Sequence, residues 1–365
     1  MNKIRLLISS VNLDYGGIEK SLLNLVNSFD FNKYDVTLVL EEKSGIYLNK
    51  VNKGINIIEY KPSSDKNLLI RKIKNFINKC LWIIKNYNKY DISICYATYS
   101  MPANFITRAS AKKRIIWIHS NYCAAFDYDK DKINDFFDIR YLNKFDNIVF
   151  VSNEAKNDLK KYYPFIEKKS ITLNNIIDTS EIINNSNLGV KLKKNDFKNI
   201  AVFVGRMDDE VKKVSRIIEL AKKCQQDKKD ILFLLVGDGP DLLSLKVMVE
   251  EFNLNNVEFV GAQVNPYPYI KKANFLILTS KYEGFPVVYN EAIILDKPIL
   301  STVNVSDDEI EINGDFGIIC KPEELYENID NILNFKSKKI DIDDVNKKRI
   351  EKIEKLIGDL YEEKN

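Results

Sequence analysis

Glu283 and Glu291 are separated by seven intervening residues in the segment Thr279-Ser280-Lys281-Tyr282-Glu283-Gly284-Phe285-Pro286-Val287-Val288-Tyr289-Asn290-Glu291. The apolar run before it predicts a strand ending near Leu278. Gly284 supplies a turn, Pro286 suits the first helical position, and a helix is expected over Val287–Leu295. Glu291 then has Val287 and Val288 one turn before it and Ile294 and Leu295 one turn after it. So apolar a helix is buried, and a buried carboxylate is costly unless something hydrogen-bonds it. The paired hydroxyls of a sugar can both donate to one carboxylate. Glu283, in the loop, can face a second polyol. The backbone around Gly284, Phe285, Pro286 and Val287 opens the helix, and N–H groups of a first turn favour an anion such as a diphosphate. The competing account is a Glu complementing the helix dipole and a second Glu paired within the protein.

Arg206 and Lys212 offer the matching positive charge. Arg206 follows an expected strand, Ile200–Val204, and Lys212 precedes a helix expected from Val214. Both fall at the carboxyl end of a sheet, where an Arg can fork onto a diphosphate and a Lys adds a point charge. Two surface cations beside Asp208, Asp209 and Glu210 are an equal alternative. Gly16-Gly17 lies between a strand and a helix from Ile18, and Gly237 and Gly239 follow the run Ile231–Val236. Each pair fits either a close backbone approach to a ligand or an ordinary tight turn. His119, the chain's single histidine, follows Ile115-Ile116-Trp117-Ile118. Its place at a strand's carboxyl end favours contact with substrate over a purely structural role, with no covalent step assigned to it. Asp127-Tyr128-Asp129 and Asp129-Lys130-Asp131 have D-x-D spacing, a pattern that can hold a divalent metal where it closes an apolar strand. They lie in the polar, acidic stretch Phe126–Asp138 instead of closing an apolar strand, so they read as a solvated loop and no metal is expected.

These residues need a frame that delivers strand ends to one edge. Short apolar runs at Ile4–Ser9, Tyr34–Leu40, Ile55–Ile58, Ile92–Tyr96, Arg114–His119 and Asn147–Val151 read as strands of a first sheet. Helical patterns such as Ile18–Val26 and Leu68–Tyr87 lie between them, which predicts a mainly parallel, doubly wound sheet. After Ile177-Asp178 the pattern restarts. Thr179–Lys198 has no strong period and reads as a linker. Strands follow at Ile200–Val204, Ile231–Val236, Val257–Val260, Phe275–Leu278 and Pro298–Ser301, again with helices between, and a charged helix is expected over Val345–Glu362. The expected organisation is α/β: a Rossmann-like domain at 1–178, a linker at 179–198, a second Rossmann-like domain at 199–340 and a C-terminal helix at 341–365. Ligands of such sheets bind at the carboxyl ends of strands, and between two such domains in a cleft.

Composition agrees with two folded domains: 365 residues, 45% hydrophobic and 29% charged. The start, Met1 to Ser10, has too short an apolar run for a signal peptide, and no stretch of about 20 apolar residues occurs. Five scattered cysteines with no C-x-x-C pair argue for reduced thiols in a cytosol and against zinc. Residues 1–175 carry 28 Lys/Arg against 18 Asp/Glu, net +10, whereas the remainder carries 27 against 34, net −7. The first half therefore expects an anionic partner. Lys66–Lys89 concentrates this charge: Lys66, Arg71, Lys72, Lys74, Lys79, Lys85 and Lys89, with no acid. Leu69, Ile73, Phe76, Ile77, Cys80, Ile84 and Tyr87 recur there at helical spacing. Two readings stand equally: a helix packed on the sheet with a solvated basic face, or a basic face that meets anionic lipid. No nucleic-acid motif accompanies the charge, so none is expected as partner.

Taken together, the motifs resemble those of glycosyltransferase family 4, a large retaining family with the GT-B architecture. Glu283 to Glu291 is similar to its Glu-x7-Glu motif. Val204-Gly205-Arg206-Met207-Asp208-Asp209-Glu210-Val211-Lys212-Lys213 resembles its G-R-L-x-x-E-x-K-G segment, Leu235-Val236-Gly237-Asp238-Gly239-Pro240 its V-G-x-G-P turn, and Tyr15-Gly16-Gly17-Ile18-Glu19 its N-terminal G-G-x-E loop. Lys213 departs from the pattern, occupying the family's usual glycine. If that glycine clears the phosphates, the local loop must differ here. The resemblance implies a nucleotide-sugar donor, expected to be a UDP-sugar, a reaction that needs no metal or other cofactor, and a glycan or lipid-linked acceptor. It places Arg206 and Lys212 on the leaving diphosphate and Glu291 on the ribose. Glu283 and the Phe285–Val287 amides go to the sugar, Gly16, Gly17, Gly237 and Gly239 to the donor, and His119 near the reacting carbon. It further implies a cytoplasmic enzyme, peripheral at the inner membrane face, in surface polysaccharide synthesis. A silent GT-B partner or glycan-binding protein, and another sugar-nucleotide enzyme such as an epimerase, are the alternatives.

Overall fold

A computed structural model describes residues 3–194 and 196–363; the ends of the expected domain bounds at 1, 2, 364 and 365, and Asn195 of the expected linker, lie outside the described residues. The chain divides into two units, Met1–Ile177 with Asn346–Asn365, and Asp178–Val345.

The first unit holds β1 (Ile4–Ser10), β2 (Tyr34–Leu40), β3 (Asn56–Glu59), β4 (Tyr90–Cys95), β5 (Ala111–Ile118), β6 (Asn147–Phe150) and β7 (Ser170–Thr172), in the order β3-β2-β1-β4-β5-β6-β7. The second holds β8 (Asn199–Val204), β9 (Ile231–Val236), β10 (Val257–Gly261), β11 (Phe275–Leu278), β12 (Ile299–Ser301) and β13 (Gly317–Ile319), in the order β10-β9-β8-β11-β12-β13. Neighbouring strands run parallel throughout both sheets. Every residue of β4 and β9 is buried, as expected when helices cover both faces of a parallel sheet. Strand order reverses between β1 and β4 and again between β8 and β11. At such a switch point the connections from adjacent strands lead to opposite sides of the sheet, and ligands bind outside the carboxyl ends of the strands there.

Two short strands add to those expected. Ser170–Thr172 is too brief and polar to stand out as an apolar run. Gly317–Ile319 begins with a glycine whose Cβ would lie 1.9 Å from the Ile299 carbonyl oxygen, so close strand approach requires it. The expected linker begins with a helix, Thr179–Ser186, capped by Asp178, whose Oδ1 accepts from the Glu181 N–H at 2.8 Å. Its few apolar residues conceal the helical period. The C-terminal helix starts at Ile342, ahead of the expected Val345. From Asn346 onward it packs with the first unit: Asn346 both donates to the Ile177 carbonyl (2.7 Å) and accepts from its N–H (3.1 Å).

The helix Leu68–Asn86 corrects one expectation. Its apolar stripe does not pack on the sheet; only Trp82 and Asn86 are buried.

Candidate active site

In the second unit the loops after β8 and β11 are knitted together at the switch point. The Lys281 N–H donates to the Val211 carbonyl at 2.7 Å, and the Thr279 hydroxyl donates to the Lys213 carbonyl at 2.8 Å. This brings Lys212 and Glu283 into contact, Nζ to Oε1 at 2.6 Å, with both side chains largely covered. The Ser280 hydroxyl donates to the same Oε1 at 2.6 Å. Arg206 takes another course. It is 66% exposed and pairs with Asp208 at 2.5 Å, an arrangement worth little in water but free to be exchanged for a ligand.

The neighbouring acids build the loop. Asp208 accepts from the Val211 N–H at 3.3 Å, and Asp209 accepts from the Ser215 N–H and hydroxyl at 2.7 and 2.8 Å. Lys213 has φ +50°, in the left-handed region that glycine adopts without cost. The loop thus keeps a glycine-like backbone at the position where the sequence departs from the family.

Gly237 and Gly239 pack against this loop from the side of β9. A Cβ on Gly237 would lie 1.9 Å from the Gly205 oxygen, and one on Gly239 would lie 2.4 Å from the Met207 oxygen. Gly237 also has φ +146°. Close backbone approach is therefore required here, and the Arg206 loop itself is one partner.

The helix after Glu283 spans Val287–Ile294, with Pro286 at its N-cap, one position earlier than expected, and no side-chain cap. Pro286 has no N–H, so the amides available near it belong to Phe285 and Val287. Gly284, Phe285 and Pro286 are buried. Val288, Tyr289, Asn290, Glu291 and Ala292 of this helix are buried: Glu291 is 7% exposed and Asn290 is fully buried. Neither the carbonyl nor the amide group of the Asn290 side chain has a hydrogen-bond partner, an uncommon state for a buried amide. Asn290 was visible in the sequence as a polar residue inside an apolar helix, but nothing there marked its side chain as unsatisfied.

The first unit carries the remaining predicted residues. Gly16 caps the helix Gly17–Ser28 in extended conformation, with φ 175°. Glu19 folds back over it, so that a Cβ on Gly16 would lie 2.1 Å from Glu19 Oε2. Burial raises the Glu19 carboxyl pKa, against the lowering effect of a backbone hydrogen bond. His119 follows β5, its ring 4.3 Å from that of Tyr96, and its Nε2 is covered with no partner. Ser10 Oγ, at the end of β1, and Asn174 Nδ2, just beyond β7, are likewise buried without partners. Neither residue stands out in the sequence by type or local context. The D-x-D acids do not form a cluster: Asp129 caps the helix Lys130–Asp138 through the N–H groups of Asp131 and Lys132. Among the described residues no group of three or more His, Cys, Asp or Glu side chains is arranged to hold a metal.

Burial pushes the His119 pKa from 6.5 down to about 3, against a smaller upward pull from a hydrogen bond with the Tyr96 backbone. The folded chain thus holds the ring neutral, whereas the unfolded chain protonates it near 6.5. This contribution to stability is complete above pH 6.5 and declines as pH falls toward 3, by up to about 1.4 kcal/mol per pH unit. Urea unfolding at about pH 7 and about pH 5.5 should show a larger acid loss for the native chain than for His119→Gln. Equal losses would mean that the ring charges in place.

Comparison with known proteins agrees with this architecture. The family model described as Glycosyltransferase Family 4 matches residues 15–181, and that described as Glycosyl transferases group 1 matches residues 185–349. An uncharacterized glycosyltransferase of Methanocaldococcus jannaschii is 26% identical over 68% of this chain and 62% of its own length. Two further relatives are matched over 50% and 45% of their lengths, so the chain spans about half to three-fifths of these proteins. The GalNAc-alpha-(1->4)-GalNAc-alpha-(1->3)-diNAcBac-PP-undecaprenol alpha-1,4-N-acetyl-D-galactosaminyltransferase of Campylobacter jejuni is 24% identical over 86% of this chain and 84% of its own. Among solved structures, Anabaena HepE in complex with UDP and glucose superposes with a TM-score of 0.72 at 14% identity, covering 96% of this chain and 99% of that one. The matched models, the switch-point loops and the paired sheets have one common reading: the chain belongs to glycosyltransferase family 4, with the two Rossmann-like domains of the GT-B fold.

Proposed function

We propose that the chain moves a sugar from a UDP-sugar to a hydroxyl of a glycan or lipid-linked acceptor in surface polysaccharide synthesis, with retention of anomeric configuration. The observation that carries this reading is the Lys212–Glu283 pair at 2.6 Å, held on the loops after β8 and β11. In the free chain each group neutralises the other. A donor would give Lys212 a phosphate and Glu283 the sugar hydroxyls. Arg206 would exchange Asp208 for the diphosphate, and Glu291 would take the ribose diol. The Phe285 and Val287 amides would face the sugar, the Gly237–Gly239 turn would border the nucleotide, and Gly16, Gly17 and His119 would touch the substrate. UDP is supported by the Anabaena HepE complex, and a lipid-linked acceptor by the name of the Campylobacter relative.

In this mechanism the bond from the anomeric carbon to the leaving phosphate oxygen breaks as the acceptor oxygen bonds to that carbon on the same face. The departing phosphate oxygen takes the acceptor proton. Placement and charge stabilisation are then the protein's main contribution. The reaction would occur in the cytoplasm, with the basic first half drawn to the inner membrane face.

A thermal-shift screen against nucleoside diphosphates and their sugars tests the donor, because a ligand bound only to the native state raises apparent stability. UDP and one UDP-sugar should stabilise the chain most; no shift with any of them would remove the proposal. With Arg206 and Lys212 available for the diphosphate and Asp129 occupied as a helix cap, transfer should survive EDTA. Loss restored by Mn²⁺ or Mg²⁺ would instead direct attention to Asp127, Asp129 and Asp131.

A further inference from the structure

Helix Leu68–Asn86 is amphipathic in the reverse sense for a helix lying on a sheet. At about 100° per residue, Asn75, Asn78, Trp82 and Asn86 fall on one side. Trp82 and Asn86 are buried and the other two half-buried. Trp82 anchors it in the apolar core of the first unit, its ring 5.4 Å from that of Tyr60 and edge-on to it, and polar contacts add to this. Trp82 Nε1 donates to Ser110 Oγ at 3.0 Å, and Asn75 Oδ1 accepts from the Ser63 N–H at 2.7 Å. The opposite side is apolar and open to solvent: Leu69 is 67% exposed, Ile73 51%, Phe76 68%, Ile77 50%, Ile84 79% and Tyr87 67%. A continuous stripe of this kind is rare on a monomer's free surface and marks an interaction site.

The flanking charges identify the occupant. Lys72 and Lys79 lie along one border of the stripe, and Lys74 and Lys85 along the other. Lys74 is paired with Asp65 at 2.8 Å, and Lys79 lies 5.4 Å from the Phe105 ring centroid. The helix contains no acid. Two copies meeting stripe to stripe would bring like-charged borders together, and an acidic groove would leave the large side chains of the stripe to be filled by a matching apolar surface. A bilayer with anionic headgroups satisfies both parts at once: acyl chains receive the stripe, and phosphates receive the lysines on either side.

We infer that helix Leu68–Asn86 lies in the plane of an anionic phospholipid surface with its apolar stripe inserted and its lysines at headgroup level. This deepens the peripheral placement proposed above, but it rests on the helix and not on the transfer reaction. Insertion adds a component that charge attraction alone lacks. Pure attraction vanishes at high salt, whereas apolar burial persists.

Co-sedimentation of the full chain, without donor, with phosphatidylcholine vesicles and with phosphatidylcholine–phosphatidylglycerol vesicles provides the test. Binding should favour the anionic vesicles and weaken with salt, yet leave a residual fraction at about 1 M salt. Phe76→Ser and Ile84→Ser should each reduce partitioning on the order of tenfold and together abolish the residual. Both residues are exposed, so the melting temperature should not change. Arg71, Lys72, Lys74 and Lys79 changed to Gln should remove the preference for anionic vesicles. Transfer to a short soluble acceptor should remain within about twofold in all these variants, which separates failure of docking from failure of the proposed reaction. Equal binding to both vesicle types, no binding, or self-association abolished by Phe76→Ser would overturn the inference, the last in favour of a second copy as occupant.

Discussion

Glu291→Ala is expected to weaken nucleoside-diphosphate binding by about 2–4 kcal/mol, roughly 30- to 1000-fold, without unfolding the chain. Glu291 is 7% exposed in a helix whose neighbours Val288, Tyr289, Asn290 and Ala292 are also buried. A carboxylate in such surroundings can accept two hydroxyl donors with little competition from water, which is the condition under which a charged hydrogen bond contributes most. Glu291→Gln should fall between the native chain and the alanine variant, since an amide keeps one oxygen acceptor but loses the charge. The assignment to the ribose has a sharper check. A 2′-deoxynucleoside diphosphate should bind the native chain less tightly than its ribose counterpart, and Glu291→Ala should erase most of that difference, as a double-change cycle requires for direct partners. Calorimetry showing unchanged affinity in a folded variant, or a deoxy penalty that survives the substitution, would remove Glu291 from the nucleotide.

Much of the fold was legible because a parallel sheet covered on both faces turns its central strands into plain apolar runs. Tyr34–Leu40, Ile231–Val236 and Phe275–Leu278 were read with the bounds they have in the structure. Edge strands of three residues offer no such run. Helix Leu68–Asn86 was legible as an amphipathic helix, but its orientation was not, because periodicity gives a stripe and not the side that packs. The candidate site divides in the same way. Glu283 and Lys212 were each visible by type and local context. Their contact joins residues far apart in the chain and arises only because β8 and β11 are neighbours at the switch point. Gly237 and Gly239 admitted a turn or a close approach; the carbonyls of Gly205 and Met207 supply the close approach, a tertiary fact no local pattern contains.

Lys212→Met should lower kcat by on the order of 10²-fold or more, with a much smaller change in KM. Negative charge grows on the leaving diphosphate as the sugar departs, so a cation placed there stabilises the transition state more than the bound donor. The 2.6 Å pair with Glu283 supplies a competing explanation that must be separated. Removing Lys212 leaves the Glu283 carboxylate, 11% exposed, with Ser280 as its neighbour but without its cation. A loss of activity could then reflect a displaced Glu283 instead of a missing charge on phosphate. Glu283→Gln alone and the double variant Lys212→Met/Glu283→Gln distinguish the two. If Lys212 serves only to hold Glu283, the double variant should recover to the level of Glu283→Gln, since a neutral amide needs no counter-ion. If Lys212 acts on the diphosphate, the double variant should remain at least as impaired as Lys212→Met. A rise in KM alone would make Lys212 a binding residue, and recovery in the double variant would make it a positioning residue for Glu283. Either result would remove it from the leaving group.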